Sequence, residues 1–166
     1  MEDKFIILGV ANVWEERKGL RYFVELSENL EEDEVIVLVG LNKKQVKNVP
    51  EKIVGLTRTE SLEQLVGIYS TADVFVNPTL EDNFPTTNLE ALACGTPVIT
   101  FDTGGSIESI DFKTGFIVSK GDLKGLLNAI RNVKKVGKRC YVDNAAERAR
   151  SLFGKELMVL KYLKLY

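Results

Sequence analysis

The chain has 166 residues, 45% hydrophobic and 28% charged, with a formal net charge of −2. That length supports one ordinary domain with a sizeable core, and the slight acidity argues against nucleic acid as a bulk electrostatic partner. There is no histidine and there are only two cysteines, which excludes His-dependent triads, the usual zinc ligand sets and a disulfide framework.

No apolar run approaches the roughly 18 residues of a membrane span. The opening MEDKFIILG is acidic and enters a strand at once, unlike a signal peptide. Cys94 and Cys140 are therefore expected as free thiols in a reducing compartment, and the protein is expected in the cytoplasm.

Phe5 to Val10 (FIILGV) is apolar throughout and predicts a central strand, followed by a loop over residues 11–18. Residues 19–30 predict an amphipathic helix with Leu20, Phe23, Val24, Leu26 and Leu30 on its core side. An acidic turn over 31–34 leads to a second buried strand, 35–39, ended by Gly40. Residues 42–48 form at most a short polar helix, and 52–56 a third strand. Ser61 caps a helix running to Thr71, whose apolar face is Leu62, Leu65, Val66 and Tyr69. The fourth strand, 73–77, is stopped by Pro78, which lacks a backbone donor.

A polar loop over 79–84 carries Glu81 and Asp82. Pro85 suits the first turn of a helix that runs to about Cys94 and stops at Gly95. Residues 97–101 are a fifth strand, and Gly104-Gly105 allows a turn closed to bulkier residues. A sixth strand covers 115–119. Residues 123–136, 140–153 and 155–165 read as closing helices, the last carrying Leu157, Val159, Leu160, Leu163 and Leu165.

Six short strands alternating with helices predict an α/β fold. It is a Rossmann-like, doubly wound parallel sheet of order 3-2-1-4-5-6 with helices on both faces. The switch point then falls between the first and fourth strands, bringing loop 11–18 beside loop 81–85 at the edge where ligands bind. Gly9-Val10-Ala11-Asn12 is not a GxGxxG turn and there is no Walker A sequence, so dinucleotide redox and P-loop roles lose their main support.

Free N–H groups at Thr86, Thr87 and Asn88 would favour an anion, phosphate above all. Glu90, one turn further in, can accept from sugar hydroxyls. Equally, Thr87-Asn88-Leu89-Glu90 matches a capping box in which Glu90 satisfies its own helix end. Glu81 and Asp82 are either ligand-facing acids or solvated loop charges. Arg17-Lys18-Gly19 precedes a helix, where a cation is unfavourable unless an anion is also there. The alternative is a solvated basic pair beside Glu15 and Glu16. Trp14 and the Phe84 ring are expected to pack, and Gly104 and Gly105 either approach a ligand or simply turn the chain. Asn77 and Asp102 end strands nearby without an assigned role. Acids beside a phosphate-seeking helix end suit a ligand with both phosphate and hydroxyls, such as a nucleotide-sugar.

Asp82 to Glu90, continued by EALACGTPVI and a Gly-Gly pair, resembles the Glu-x7-Glu signature of retaining glycosyltransferases of family 4 with the GT-B fold. Similarity runs from Phe5 to about Ser119. The resemblance implies that Lys18 binds the donor diphosphate and, with the helix N-terminus, stabilises the leaving group without a metal or other cofactor. The absence of a DxD motif agrees with that. Arg17 would replace a second basic residue that the family carries earlier, in a Gly-Arg pair absent here. Asp82, one methylene shorter than the usual glutamate, would serve the donor sugar as the second catalytic residue, with Glu81 able to share the role. Asn83, Phe84, Pro85, Thr86 and Thr87 would form the turn that meets sugar and phosphate. Glu90 would bind ribose hydroxyls, Gly104 and Gly105 would approach the ligand, and Thr57 and Arg58 would contact the base.

The implied reaction moves a hexose from a nucleoside-diphosphate sugar to a saccharide or lipid-linked acceptor with retention of anomeric configuration. GT-B enzymes have two Rossmann-like domains, with the acceptor site mostly on the first, and this chain resembles only the second. Residues 1–166 are therefore expected to be a single donor-binding domain without its acceptor domain, inactive alone. Peripheral membrane association is an expectation for the full-length protein. Two further readings stay open: a non-catalytic nucleotide- or phosphate-binding module of the same fold, and a GT-B sugar-nucleotide epimerase.

Overall fold

The computed structural model describes residues 4–164. Its six strands form one parallel sheet of order 3-2-1-4-5-6, as the strand–helix alternation predicts. β1 (Phe5–Val10) pairs along its length with β2 (Glu34–Val39), which carries β3 (Ile53–Leu56) on its outer side. On its other side β1 pairs with β4 (Val74–Asn77), followed by β5 (Val98–Phe101) and β6 (Gly115–Val118). Asp73 sits just ahead of β4, not within it. Its carboxylate accepts from the Ile6 N–H at 2.7 Å and extends the β1–β4 seam with a side chain.

The helices are α1 (Leu20–Ser27), α2 (Lys43–Asn48), α3 (Leu62–Thr71) and α4 (Thr86–Ala93). The chain closes with α5 (Leu123–Val136), α6 (Val142–Phe153) and α7 (Lys155–Leu163). Alternate strand residues point to opposite faces, so two cores form. Ile7, Ile36, Leu38, Val76 and Phe101 pack with Phe23 and Leu26 of α1 and Ile130 of α5. Leu8, Val37, Phe75 and Val98 pack with Tyr69 of α3, Leu92 of α4 and Ala145 of α6. Because the central strands are buried on both faces, they read as apolar runs without alternation.

Several expectations change. α1 starts at Leu20, because a 3-10 turn (Glu16–Lys18) and a left-handed Gly19 (φ 76°) precede it, and it ends at Ser27, short of the expected residue 30. Asn42, read only as the start of a short polar helix, makes a complete capping box with Gln45 and so starts α2 firmly. On α3, Tyr69 and Leu65 face the core, whereas Leu62 and Val66 are exposed. Cys140 belongs to a separate 3-10 turn (Lys138–Cys140). The apolar residues Val159, Leu160 and Leu163 of α7 are exposed, and Leu165 lies outside the described residues. Among the described residues no helix is long and apolar enough to cross a membrane.

Glu34 departs most from the expected acidic turn, being a buried residue of β2. Arg131 and Lys134 of α5 cover it: Arg131 donates to its carboxylate, and Lys134 donates at 3.1 Å. Lys134 also bridges Glu31 at 2.7 Å and Asp33 at 2.6 Å. Those hydrogen bonds hold both exposed carboxyls below their ordinary range. A carboxyl lowered in the folded state stabilises above its unfolded value and loses that contribution as pH falls through the folded one. Melting temperature is therefore expected to drop below about pH 4, less steeply in Lys134→Met than in the wild type. Identical pH slopes for the two proteins would refute this account.

Candidate functional site

Two loops meet where β1 and β4 end. Gly19 brings the first against the second: a Cβ there would collide with the Pro78 carbonyl, so glycine is required both for space and for its positive φ. The Leu80 N–H donates to the Arg17 carbonyl at 2.7 Å. The buried Thr79 hydroxyl lies 3.3 Å from that same carbonyl and 3.0 Å from the carbonyl of Glu81. The basic loop and the acidic loop are thus joined through their backbones.

Lys18 Nζ lies 2.6 Å from Asp82 Oδ2, a part-buried ion pair across the two loops. The other Asp82 oxygen accepts from the Phe84 N–H at 3.2 Å, which turns the chain toward α4. Arg17 pairs instead with Glu15 at 2.9 Å, near the surface.

Pro85 is the residue before α4, and its carbonyl takes the Asn88 N–H at 3.1 Å. The expectation of three free N–H groups is thereby corrected to two, those of Thr86 and Thr87, which have no acceptor among the described residues. The Thr87–Glu90 capping box does not form either. Glu90 Oε2 accepts from the Tyr69 hydroxyl at 2.9 Å, turning the acid away from its own helix end. Burial, reinforced by the Glu90 charge, pushes the Tyr69 phenol far above its ordinary range, so it remains a proton donor.

Between the loops lies a cavity of about 380 Å³. Of the residues expected from sequence, it gathers Arg17, Lys18, Asp82, Phe84, Pro85, Thr86 and Thr87. Glu81, Asn83 and Glu90 do not line it. Thr57 and Arg58 line an adjoining groove that shares Asn12 and Val13 with the cavity. Gly104 and Gly105 do not reach the cavity. They open a 3-10 segment (Gly104–Ser109) pressed against the acidic loop, where a Cβ would strike the carbonyls of Asp82 and Asn83. Their close approach is to protein backbone, and the Gly105 N–H donates to the Asn83 carbonyl at 3.0 Å.

Phe84 stays partly exposed, its ring 5.6 Å from that of Phe153. Trp14 packs as expected, edge-to-face on Phe23 at 5.4 Å, with its indole N–H on the Val39 carbonyl. Asn12, Val13, Glu15 and Asn77 line the cavity although the sequence pattern does not assign them to it. Asn77 had one legible signal, an amide ending an apolar strand at the carboxyl edge. The others lie in a loop whose path depends on contacts with residues about sixty positions away, such as Thr79.

The fold and this cavity define a doubly wound α/β domain with an anion-suited crevice at its topological switch point. Residues 4–135 match the family model for glycosyl transferases group 1, so the chain belongs to that family. An N,N'-diacetylbacillosaminyl-diphospho-undecaprenol alpha-1,3-N-acetylgalactosaminyltransferase of Campylobacter jejuni is 26% identical over the whole chain and 45% of its own length. Sucrose-phosphate synthase of Thermosynechococcus elongatus superimposes with a TM-score of 0.85 at 28% identity, over 99% of this chain and 45% of that one. Anabaena HepE, solved with UDP-glucose, shares the fold with a TM-score of 0.79 at 18% identity, over 99% of this chain and 50% of that one. The chain spans about half the length of these relatives.

The glycine contacts are open to test. In Gly105→Ala the new methyl meets the Asn83 carbonyl, so the acidic loop must move, at a cost of about 1–3 kcal/mol in chemical denaturation. A midpoint unchanged from wild type would show that the loop yields freely.

Proposed function

We propose that this chain is the donor-binding domain of a retaining glycosyltransferase. The enzyme would transfer a hexose from a nucleoside-diphosphate sugar to a saccharide or lipid-linked acceptor. The observation that carries the reading is one cavity facing Lys18, Asp82 and the two unpaired N–H groups that open α4. A diphosphate placed there meets the ammonium of Lys18 and the amides of Thr86 and Thr87, donors suited to an anion. As the sugar–phosphate bond breaks, negative charge grows on the leaving diphosphate, and the same groups stabilise it.

Asp82 is assigned to the donor sugar, with Glu81 and Asn83 on the same loop. Glu90 is assigned to the ribose hydroxyls. A carboxylate has two oxygens, so Glu90 can hold Tyr69 with one and a ligand with the other. The groove carrying Thr57 and Arg58 adjoins the cavity and is assigned to the base. The donor named for the HepE complex, UDP-glucose, and the lipid-linked substrate in the name of the Campylobacter relative support this substrate class. Catalysis requires an acceptor-binding partner domain, in keeping with the half-length match to the relatives.

Calorimetric titration with UDP, GDP, ADP and their hexose conjugates tests the reading. One nucleotide series is expected to saturate, and Lys18→Ala should weaken it roughly tenfold or more, the scale of a lost charge-assisted hydrogen bond. Absence of saturable binding at millimolar ligand overturns the assignment. Sugar transfer by these 166 residues alone would overturn the separate claim that catalysis needs a partner domain.

A further inference from the structure

The end of β4 carries a polar side chain that the proposed function leaves unused. Asn77 is 8% exposed and lines the cavity. Its Nδ2 donates to Asn88 Oδ1 at 2.8 Å, and Asn88 Nδ2 donates to Ser109 Oγ at 2.9 Å. The Ser109 hydroxyl in turn donates to the Ser106 carbonyl at 2.6 Å. Asn88, Ser106 and Ser109 are fully buried.

The far end of this relay sets its direction. A carbonyl can only accept, so the single Ser109 proton goes to Ser106, and the Ser109 oxygen must accept from Asn88. Asn88 therefore presents its NH2 to Ser109 and its carbonyl oxygen to Asn77. Asn77 must answer with its own NH2, which turns its Oδ1 away from the relay. Among the described residues no donor reaches that oxygen. Nor does any fully buried side-chain nitrogen or oxygen there lack a partner, so Oδ1 is open to solvent. The opening that Asn77 borders is the cavity.

An acceptor beside an anion-binding helix end repels phosphate oxygens and takes a hydroxyl. Lys18 is already engaged by Asp82. We propose that Asn77 Oδ1 is a ligand-binding group that accepts a hydrogen bond from a hydroxyl of a nucleotide-sugar. The amide of Asn88 holds it in that orientation. This inference rests on the donor-binding reading and adds to it a residue that contacts the ligand, Asn77, and a positioning residue, Asn88. The hydroxyl belongs either to the sugar or to the ribose, and the test separates the two.

Calorimetry on wild type and Asn77→Ala with three ligands decides it: UDP-glucose, UDP, and a UDP analogue lacking both ribose hydroxyls. The corresponding GDP or ADP series serves if that is the one the wild type binds. The expected loss in affinity is about two- to tenfold, and it follows the hydroxyl. A loss with UDP-glucose but not UDP assigns the sugar. A loss with UDP that vanishes with the analogue assigns the ribose. An equal loss for all three ligands, or none for any, overturns the inference and leaves the donor-binding reading standing. A wild-type chain that binds no nucleotide or conjugate overturns both. If Asn77→Ala fails to fold, Asn77→Val/Asn88→Ala removes both amides together and strands neither. The same three ligands then separate sugar from ribose in the same way.

Discussion

The site depends on β1 lying between β2 and β4 in a parallel sheet. Parallel strands need crossover connections, and these are right-handed. From β1 the chain winds outward through α1 to β2, and from β4 it winds the opposite way through α4 to β5. No connection closes over the carboxyl ends of β1 and β4, so a crevice opens there. The same winding places a basic loop after β1 and a helix N-terminus after β4 on its two walls. Each wall carries only one of these two features. Their juxtaposition, which is a property of strand order, brings a cation and free amides to one point.

Loops at such an edge are ordinarily the mobile part of a fold, yet here they rest on a polar interior in which, among the described residues, every fully buried side-chain nitrogen and oxygen has a partner. Thr79, Asn88, Thr100, Ser106 and Ser109 are all buried, and each has a partner. The Thr103 hydroxyl ties β5's end to the Thr79 carbonyl at 3.1 Å. Arg148 of α6 secures the 3-10 segment from outside, donating to the Ser109 carbonyl at 2.8 Å and pairing with Asp111 at 2.9 Å. A buried polar network that is fully satisfied specifies one geometry, whereas a partly satisfied one is costly. Small hydroxyls and glycines in this stretch allow backbone to meet backbone, and that contact holds the acidic loop over the cavity.

Sheet order and strand positions were legible because their signal is local: short apolar runs, punctuated by proline and glycine, alternating with helical patterns. The residues at the carboxyl edge were legible for the same reason, since a strand ended by Pro78 and a helix opened by Pro85 show where the edge must be. What could not be read was direction. Thr87 and Glu90 have capping-box spacing, yet Glu90 turns to Tyr69, whose buried hydroxyl needs an acceptor more than an exposed helix end does. Gly104-Gly105 signalled either an approach to a ligand or a plain turn, whereas what they approach is the backbone of residues 82 and 83. The apolar face assigned to α3 failed at Leu62 and Val66, because periodicity gives the stripe but not its width. The Asn77–Asn88 relay was invisible, since its meaning lies in a bonding direction set by Ser106.

The Lys18–Asp82 pair explains how a cation can rest beside the positive end of a helix. Unpaired, the ammonium would share the cavity with the open amides of Thr86 and Thr87 at the start of α4, an unfavourable arrangement. Asp82 supplies the missing anion at 2.6 Å and keeps the lysine aimed across the crevice. Its short side chain is also tied to the Phe84 N–H, so the carboxylate belongs to the same rigid loop that the two glycines hold. A diphosphate bears more negative charge than one carboxylate and can engage Lys18 and the helix amides at once. Under the proposed function the exchange from Asp82 to phosphate follows from that difference, and it releases a carboxylate oxygen at the moment a sugar is brought beside it.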